Sequence, residues 1–167
     1  ARGAGMIQVI GIGSPFGDDR LGWVAAEALR KTLGRRGPDS ARIAVSTCDH
    51  PGGLPIAQWR TSDRVVLIDA VRTGAAPGTL HRLDGGRLHA GEAVLSSHGF
   101  GVAAALELAR ALDSLPRRLT LFGIEMDADH AGPDLSRAVQ AALPQLLGEV
   151  ERELAALDER DCAKIRP

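Results

Sequence analysis

The fold of this chain is decided by the segment Ile7–Gly22, which reads IQVIGIGSPFGDDRLG. It begins with β-branched residues, continues through three glycines in seven residues, and then carries two adjacent carboxylates. Apolar residues follow at helical spacing, at Trp23, Ala26, Leu29 and Leu33. This order predicts a strand, a tight loop and a helix.

A glycine-rich loop between a strand and a helix often cradles a phosphate, because its backbone N–H groups and the positive end of the helix attract anions. Here the spacing Gly11-x-Gly13-x-x-x-Gly17 differs from the dinucleotide-binding pattern, and Asp18 and Asp19 follow directly. Two carboxylates repel a pyrophosphate and attract a cation. The loop therefore indicates a carboxylate held at the edge of a sheet and directed at a positive group, with capping of the helix as the alternative.

The composition is that of a globular domain and narrows the function classes. Of 167 residues, 44% are hydrophobic and 25% are charged. The formal net charge of −1 offers no field for nucleic acid or an anionic membrane. Cys48 and Cys162 are too few for a disulfide framework, and the sequence shows no signal peptide or apolar run of spanning length. We expect one cytoplasmic domain over residues 6–160, with residues 1–5 as a tag remnant or disordered start.

Strands alternate with helices along the rest of the chain. Strands are predicted at 42–47, 64–71, 79–83 and 118–124, of which 79–83 has the alternation of an edge strand. Helices are predicted from Ser96 or Ser97 to Leu112 and at 135–157, with a kink or restart at Pro144, and a weak short helix at 54–59. The pattern predicts an α/β three-layer sandwich, in which a mostly parallel, twisted sheet of about five strands carries helices on both faces.

Three polar residues lie where such a sheet binds its ligands, beyond the carboxyl ends of the strands. Asp19 begins the first helix, Asp69 ends the central strand, and His98 begins a later helix. Two carboxylates and one imidazole suit a borderline divalent metal and leave positions free for substrate or water. A lone Asp at a strand end is more often a loop cap than a ligand, and His98 alone could simply satisfy a helix start. The metal-site hypothesis therefore depends on the three residues occurring together.

Three blocks of this sequence, in the same order, resemble the hydrogenase maturation endopeptidases, which clip the C-terminal extension from the large subunit of nickel-iron hydrogenases. The blocks are Gly11-Ile-Gly13-Ser14-Pro-Phe-Gly-Asp18-Asp19-Arg-Leu-Gly22, then Leu67-Ile68-Asp69-Ala70 with Pro77-Gly78-Thr79 after it, and Ser97-His98. The resemblance covers nearly the whole length. Many members carry Asn at the position of Ser14, and either residue can cap the turn.

The resemblance implies an endopeptidase whose metal-site and catalytic residues are Asp19, Asp69 and His98. They would engage nickel that the hydrogenase large-subunit precursor already carries, because the family is not thought to hold a catalytic metal of its own. Whether that nickel acts as a Lewis acid, activates water or serves as a recognition tag stays open. Asp19 is a candidate general base. We expect a monomer that docks transiently on the precursor.

A second loop is expected beside this site, after the second strand. Many family members carry Asp-Gly-Gly-Thr there, whereas this chain has Asp49-His50-Pro51-Gly52-Gly53. Asp49 and His50 are therefore candidates for substrate discrimination, with a solvated loop histidine as the alternative for His50. Cys48 is interpreted as a small strand-end hydrophobe rather than a nucleophile.

Two other function classes compete with the endopeptidase. A non-catalytic module that binds the precursor or holds nickel shares all of these features. A nucleotide-binding domain is disfavoured by the glycine spacing and by Asp18 and Asp19. A nucleotide binder would show a thermal shift with nicotinamide or flavin nucleotides, and a metal-holding module would purify with stoichiometric nickel. A protease of this family would do neither, yet it would shorten a nickel-loaded precursor.

Overall fold

The computed structural model describes residues 6–36, 42–60, 63–85, 95–96 and 101–165. Strands β1 to β6 span Ile7–Ile12, Ile43–Cys48, Arg64–Arg72, Leu80–Asp84, Leu95–Ser96 and Arg118–Glu125. Helices α1 to α3 span Leu21–Arg35, Val102–Ala111 and Arg137–Ile165. Short 3-10 turns lie at Gly17–Arg20, Pro51–Gly53 and Ile56–Gln58.

The five longer strands form one sheet in the order β2-β1-β3-β6-β4. Strands β2, β1, β3 and β6 run parallel to one another. Strand β4 pairs antiparallel with β6 at the edge. Strand β5 adds a two-residue antiparallel pairing at the end of β3, where Val71 lies opposite Ser96. The predicted mostly parallel sheet, with an edge strand close to residues 79–83, is confirmed.

Helices cover both faces of this sheet, which confirms the three-layer sandwich. Helices α1 and α3 pack on one face through Leu21, Ala25, Leu29, Val139, Leu146, Val150 and Leu154. Helix α2 and the segment before β3 pack on the other face through Leu54, Trp59, Val102, Leu106 and Ala109. Every residue of β3 from Arg64 to Val71 is buried, as expected for a strand covered on both faces.

Two glycines allow β1 and α1 to touch. A Cβ atom at Gly11 would lie 2.0 Å from the carbonyl oxygen of Gly22, and a Cβ at Gly22 would lie 2.0 Å from the carbonyl oxygen of Ile12. Both distances are far below van der Waals contact, so only glycine fits at either position. The glycines of the opening segment therefore serve close backbone packing, and the predicted strand, loop and helix are confirmed.

The start of α2 differs from the prediction. The helix begins at Val102, after Gly101, and Ser96 belongs to β5, so Ser96 does not cap it. Glycine lowers helix propensity by about 1 kcal/mol, and the chain carries Gly99 and Gly101 in this stretch. Ser97, the other predicted cap, lies outside the described residues. The weak helix expected at 54–59 is only a 3-10 turn.

Helix α3 is longer than predicted and contains Pro144. Of the kink or restart expected at this proline, the restart is wrong, because the helix continues on both sides of it. A proline removes one backbone hydrogen bond of the helix. Val139 and Leu146, one on each side of it, are fully buried against the sheet and keep the two halves of the helix in place. Within the described residues, the structure contains no helix with the length and hydropathy needed to cross a membrane.

Candidate active site

Asp69 lies at the carboxyl end of the central strand and is completely buried. Side chains alternate along a strand, so Asp69 shares its face of the sheet with Leu67, which packs on the α2 side. Both carboxylate oxygens of Asp69 are buried. In register beside it lies Gly123 of β6. A carboxylate in such a position is costly unless the site supplies compensating polar or positive groups, which fits a residue that faces a cation.

Asp19 lies in the 3-10 turn Gly17–Arg20, which contacts β3. The backbone N–H of Ser14 donates to the carbonyl oxygen of Asp19 at 3.1 Å, and the Ser14 hydroxyl donates to Oδ2 of Asp19 at 3.4 Å. A Cβ at Gly13 would lie 2.3 Å from the same carbonyl oxygen, so this loop also requires glycine. The structure thus brings the turn with Asp19 and the strand with Asp69 to one edge of the sheet.

Asp18, the other acid of the pair, is an anchor. It is only 3% exposed. Its Oδ1 accepts the backbone N–H of Ser136 at 2.7 Å, and its Oδ2 accepts that of Asp127 at 2.9 Å. Neither the 3-10 turn nor α1 has a side-chain hydrogen bond at its N-cap. Asp18 therefore ties the first loop to the segment between β6 and α3 rather than capping its own helix.

His98, the third predicted residue, lies outside the described residues, so its place in the site stays a prediction. Over the part of the chain that the structure describes, no group of three or more His, Cys, Asp or Glu side chains could hold a metal ion. Asp19 and Asp69 alone supply two carboxylates. A three-ligand site at this edge would thus need a contribution from elsewhere, for which His98 is the residue predicted from the sequence.

Asp49 and His50 follow β2, on the loop beside the opening segment. Oδ1 of Asp49 lies 2.7 Å from Nδ1 of His50, and both side chains are largely exposed. The carbonyl oxygen of Cys48 accepts the backbone N–H of Gly13 and the indole N–H of Trp23, each at 3.0 Å. These bonds hold the start of this loop against the loop that carries Asp19, so the two lie side by side as predicted.

Comparison with known proteins identifies the family of this chain. A family model described as "Hydrogenase maturation protease" matches residues 54–153, which is more than half of the chain. The chain belongs to the hydrogenase maturation protease family. It is 30% identical over 133 residues to the hydrogenase expression/formation protein HupD of Thiocapsa roseopersicina, a match that covers 77% of this chain and 58% of that protein. It is 28% identical over 153 residues to HupD of Rhizobium leguminosarum bv. viciae, covering 89% and 73%.

Solved structures of this family have the same fold. The hydrogenase maturating endopeptidase HybD from E. coli matches with a TM-score of 0.70 and 26% identity over 93% of each chain. The hydrogenase maturation protease HycI from Thermococcus kodakarensis KOD1 matches with a TM-score of 0.66 and 22% identity, over 89% of this chain and 92% of that one. At 22% identity, the match to HycI supports a shared fold and nothing further.

Cys48 has the properties of a structural thiol in this member of the hydrogenase maturation protease family. Burial raises its pKa to about 11, and the negative charges of Asp49 and Asp69 act in the same direction, against a lowering hydrogen bond from the His50 backbone. A thiol with this pKa is protonated at neutral pH and is a poor nucleophile. Its raised pKa agrees with the interpretation of Cys48 as a strand-end hydrophobe.

Glu125, at the end of β6, is a further buried acid at the same edge of this protease-family fold, in addition to Asp18 and Asp69, and the sequence analysis did not predict it. It accepts the N–H groups of Thr73 and Gly74 at 2.7 and 2.9 Å and the Thr73 hydroxyl at 2.8 Å, and Nε2 of His81 lies 3.1 Å away. Burial acts to raise the pKa of Glu125, but these hydrogen bonds together outweigh it and lower the pKa. The signal was available, because Glu125 ends an apolar strand just as Asp69 does.

Proposed function

We propose that this chain is the endopeptidase that removes the C-terminal extension of a nickel-iron hydrogenase large-subunit precursor after nickel insertion. Membership of the hydrogenase maturation protease family supports the class of reaction. The observation that carries the proposal is the completely buried carboxylate of Asp69 at the carboxyl end of the central strand, beside the turn that carries Asp19. The nickel is part of the substrate, and Asp19, Asp69 and His98 are the residues proposed to engage it.

The two carboxylates suit different tasks. Asp69 is rigidly placed and fully buried, so its charge is suited to attracting and orienting a cation that enters the site. Asp19 is only partly buried as a residue, and its Oδ2 accepts the Ser14 hydroxyl while its Oδ1 is buried. Of the two carboxylates it is the one on a turn at the edge of the sheet, which suits it to act as general base. In this scheme Asp19 takes a proton from the water that attacks the scissile carbonyl carbon. The C–N bond then breaks, and Asp19 returns this proton to the amine of the released extension, so that the carboxylate is regenerated.

We further propose that Asp49 and His50 discriminate between precursors. Both side chains are exposed, they form one polar pair, and the loop that carries them lies beside the loop of Asp19. Exposed charges next to a site change which partner docks more than they change the chemistry. Exchange of these two residues is therefore expected to alter the choice of precursor and leave the rate of cleavage, once bound, nearly unchanged.

The test is mass spectrometry of a nickel-loaded and a nickel-free large-subunit precursor after incubation with the protein. Asp19→Asn, Asp69→Asn and His98→Ala run alongside, with Glu149→Gln, an exposed acid on α3, as the matched carboxylate control. We expect loss of a C-terminal peptide only with nickel, only in wild type and in the control. A precursor that binds without being shortened, with several hydrogenase classes tried, would instead favour the non-catalytic binding module.

A further inference from the structure

Phe16 is the most exposed large hydrophobic side chain among the described residues, with 71% of its surface accessible. A single exposed apolar residue is common on protein surfaces and by itself indicates nothing. Phe16 differs from two other exposed hydrophobic residues, Leu108 in α2 and Leu112 directly after it, because Phe16 lies in the loop that positions Asp19. The position of Phe16 therefore favours a functional role for its exposed ring, which the two leucines do not share.

The loop that carries Phe16 is held in place on both sides of it. Before it, the backbone N–H of Ser14 is bonded to Asp19. After it, the N–H of Gly17 donates to the carbonyl oxygen of Pro133 at 2.9 Å, and Gly17 adopts a φ of +54° that favours glycine. At the next residue, the buried carboxylate of Asp18 accepts the backbone N–H of Ser136, which ties the same loop to the start of α3. An aromatic ring on a fixed loop loses little conformational entropy when a partner covers it.

The surroundings of Phe16 indicate the chemistry of that partner. Phe16 precedes Asp19 by three residues in the same loop. Its ring therefore lies on the loop that forms one side of the proposed active site. Two loops are hydrogen-bonded to this segment, at Gly13 and at Gly17, and they present the exposed carboxylates Asp49 and Asp129. The cation of the same turn, Arg20, is paired with Asp134. An aromatic residue within a charged rim is the usual form of an interface anchor. A surface complementary to this arrangement would have an apolar pocket bordered by basic side chains.

We propose that Phe16 is a docking anchor that inserts into an apolar, basic-rimmed pocket of the hydrogenase large-subunit precursor, close to the segment that is cut. This inference rests on the proposed function, and it names a contact that acts in binding and not in the chemical step. Burial of the ring on the partner fixes the orientation in which the scissile bond approaches Asp19. Phe16 is thus a specificity-determining residue that the sequence motifs did not single out.

The experiment compares Phe16→Ala with Leu112→Ala, which removes another exposed hydrophobic side chain, 53% accessible, from the residue that follows α2. Cleavage of nickel-loaded precursor gives kcat and KM for each variant. Truncation of an interface anchor is expected to raise KM by roughly tenfold or more, with kcat within about twofold, whereas Leu112→Ala behaves as wild type. Phe16→Leu keeps much of the apolar area and is expected to recover most of the loss.

A binding measurement separates this inference from the proposed function. The precursor is titrated onto the cleavage-deficient Asp19→Asn protein with and without Phe16→Ala, and both proteins are first shown to have the same Tm. Weaker binding of the double variant supports the anchor. Cleavage by wild type with KM unchanged in Phe16→Ala overturns the anchor and leaves the proposed function standing. A fall in kcat alone, or an equal loss in Leu112→Ala, also overturns it. Absence of both cleavage and binding overturns the proposed function and the anchor together.

Discussion

Asp18 and Glu125 are two buried acids at the carboxyl edge of the sheet. Both accept backbone N–H groups, but Asp18 is followed directly by a second acid, Asp19, and Glu125 is not. Glu125 accepts N–H groups from the turn after β3, and Asp18 accepts N–H groups from the segment between β6 and α3. At the end of β6, Glu125 anchors the turn that follows β3. At the opening loop the anchoring falls to Asp18, and Asp19 is left half-buried at the edge beside β3. A buried acid that accepts N–H groups of a distant loop is thus an anchor, and Asp19, the acid next to Asp18, is the one proposed to take part in the chemistry.

The strongest test of this division is the exchange Asp19→Asn. Because the proposed general base loses its proton-accepting charge, cleavage of nickel-loaded precursor is expected to slow by about 10²–10⁴-fold. The amide keeps the size of the side chain and its contact with Ser14, so Tm should change little. Single-turnover mass spectrometry and a thermal melt of the same preparation give the two values. A large fall in Tm would mean that Asp19 is an anchor like its neighbour.

The reverse result is expected for Asp18→Ala. The N–H groups of Asp127 and Ser136 lose a charged acceptor, Ser136 in a buried position, which is expected to lower the free energy of unfolding by about 2–4 kcal/mol. Urea denaturation measures this change. Asp134→Ala, which removes an exposed carboxylate from the same segment, is the control and should cost less than about 1 kcal/mol. Equal losses in the two variants would contradict the anchoring role.

How much the sequence predicts is clear from these same residues. The strands and their parallel arrangement follow from apolar runs such as 64–71, because a strand covered on both faces has a distinctive pattern. Asp69 and Asp19 were found because each stands at a strand end or a helix start. The division between Asp18 and Asp19 was not predictable, because it depends on Asp127 and Ser136, which are more than a hundred residues away in sequence.

The start of α2 shows the same limit in local structure. The serines at 96 and 97 carry the signal of an N-cap, yet Ser96 pairs with Val71 as part of β5. A tertiary contact with the end of β3 therefore replaces a local preference of about 1 kcal/mol. The position of Glu125 at a strand end is visible in the sequence, but its anchoring role is not, since its partners Thr73 and His81 come from two other segments. Phe16 was read only as part of a loop because exposure is not encoded in residue type.

Glu125→Gln sharpens the comparison through pH. The folded protein lowers the pKa of Glu125 below its model-compound value of 4.5, so its charge contributes stability above about pH 4.5. That contribution is lost as the pH falls through the lowered pKa. The difference in free energy of unfolding between wild type and Glu125→Gln should therefore be constant at neutral pH and shrink below about pH 4.5. Urea denaturation between pH 7 and pH 3 measures it. A difference that grew in acid would contradict the anchoring hydrogen bonds.

The smallest effect is expected for the salt bridge between Arg20 and Asp134, which joins the same two segments as Asp18 does. Its atoms Nη1 and Oδ1 lie 2.6 Å apart, but the side chain of Asp134 is 84% exposed. Solvent screens an exposed pair, so a double-mutant cycle with Arg20→Ala and Asp134→Ala should give a coupling below about 1 kcal/mol. That coupling should fall further in 1 M salt, where the Debye length is about 3 Å. A coupling as large as the cost of Asp18→Ala would mean that surface charge, rather than a buried carboxylate with backbone N–H donors, holds the loop of Asp19 in place.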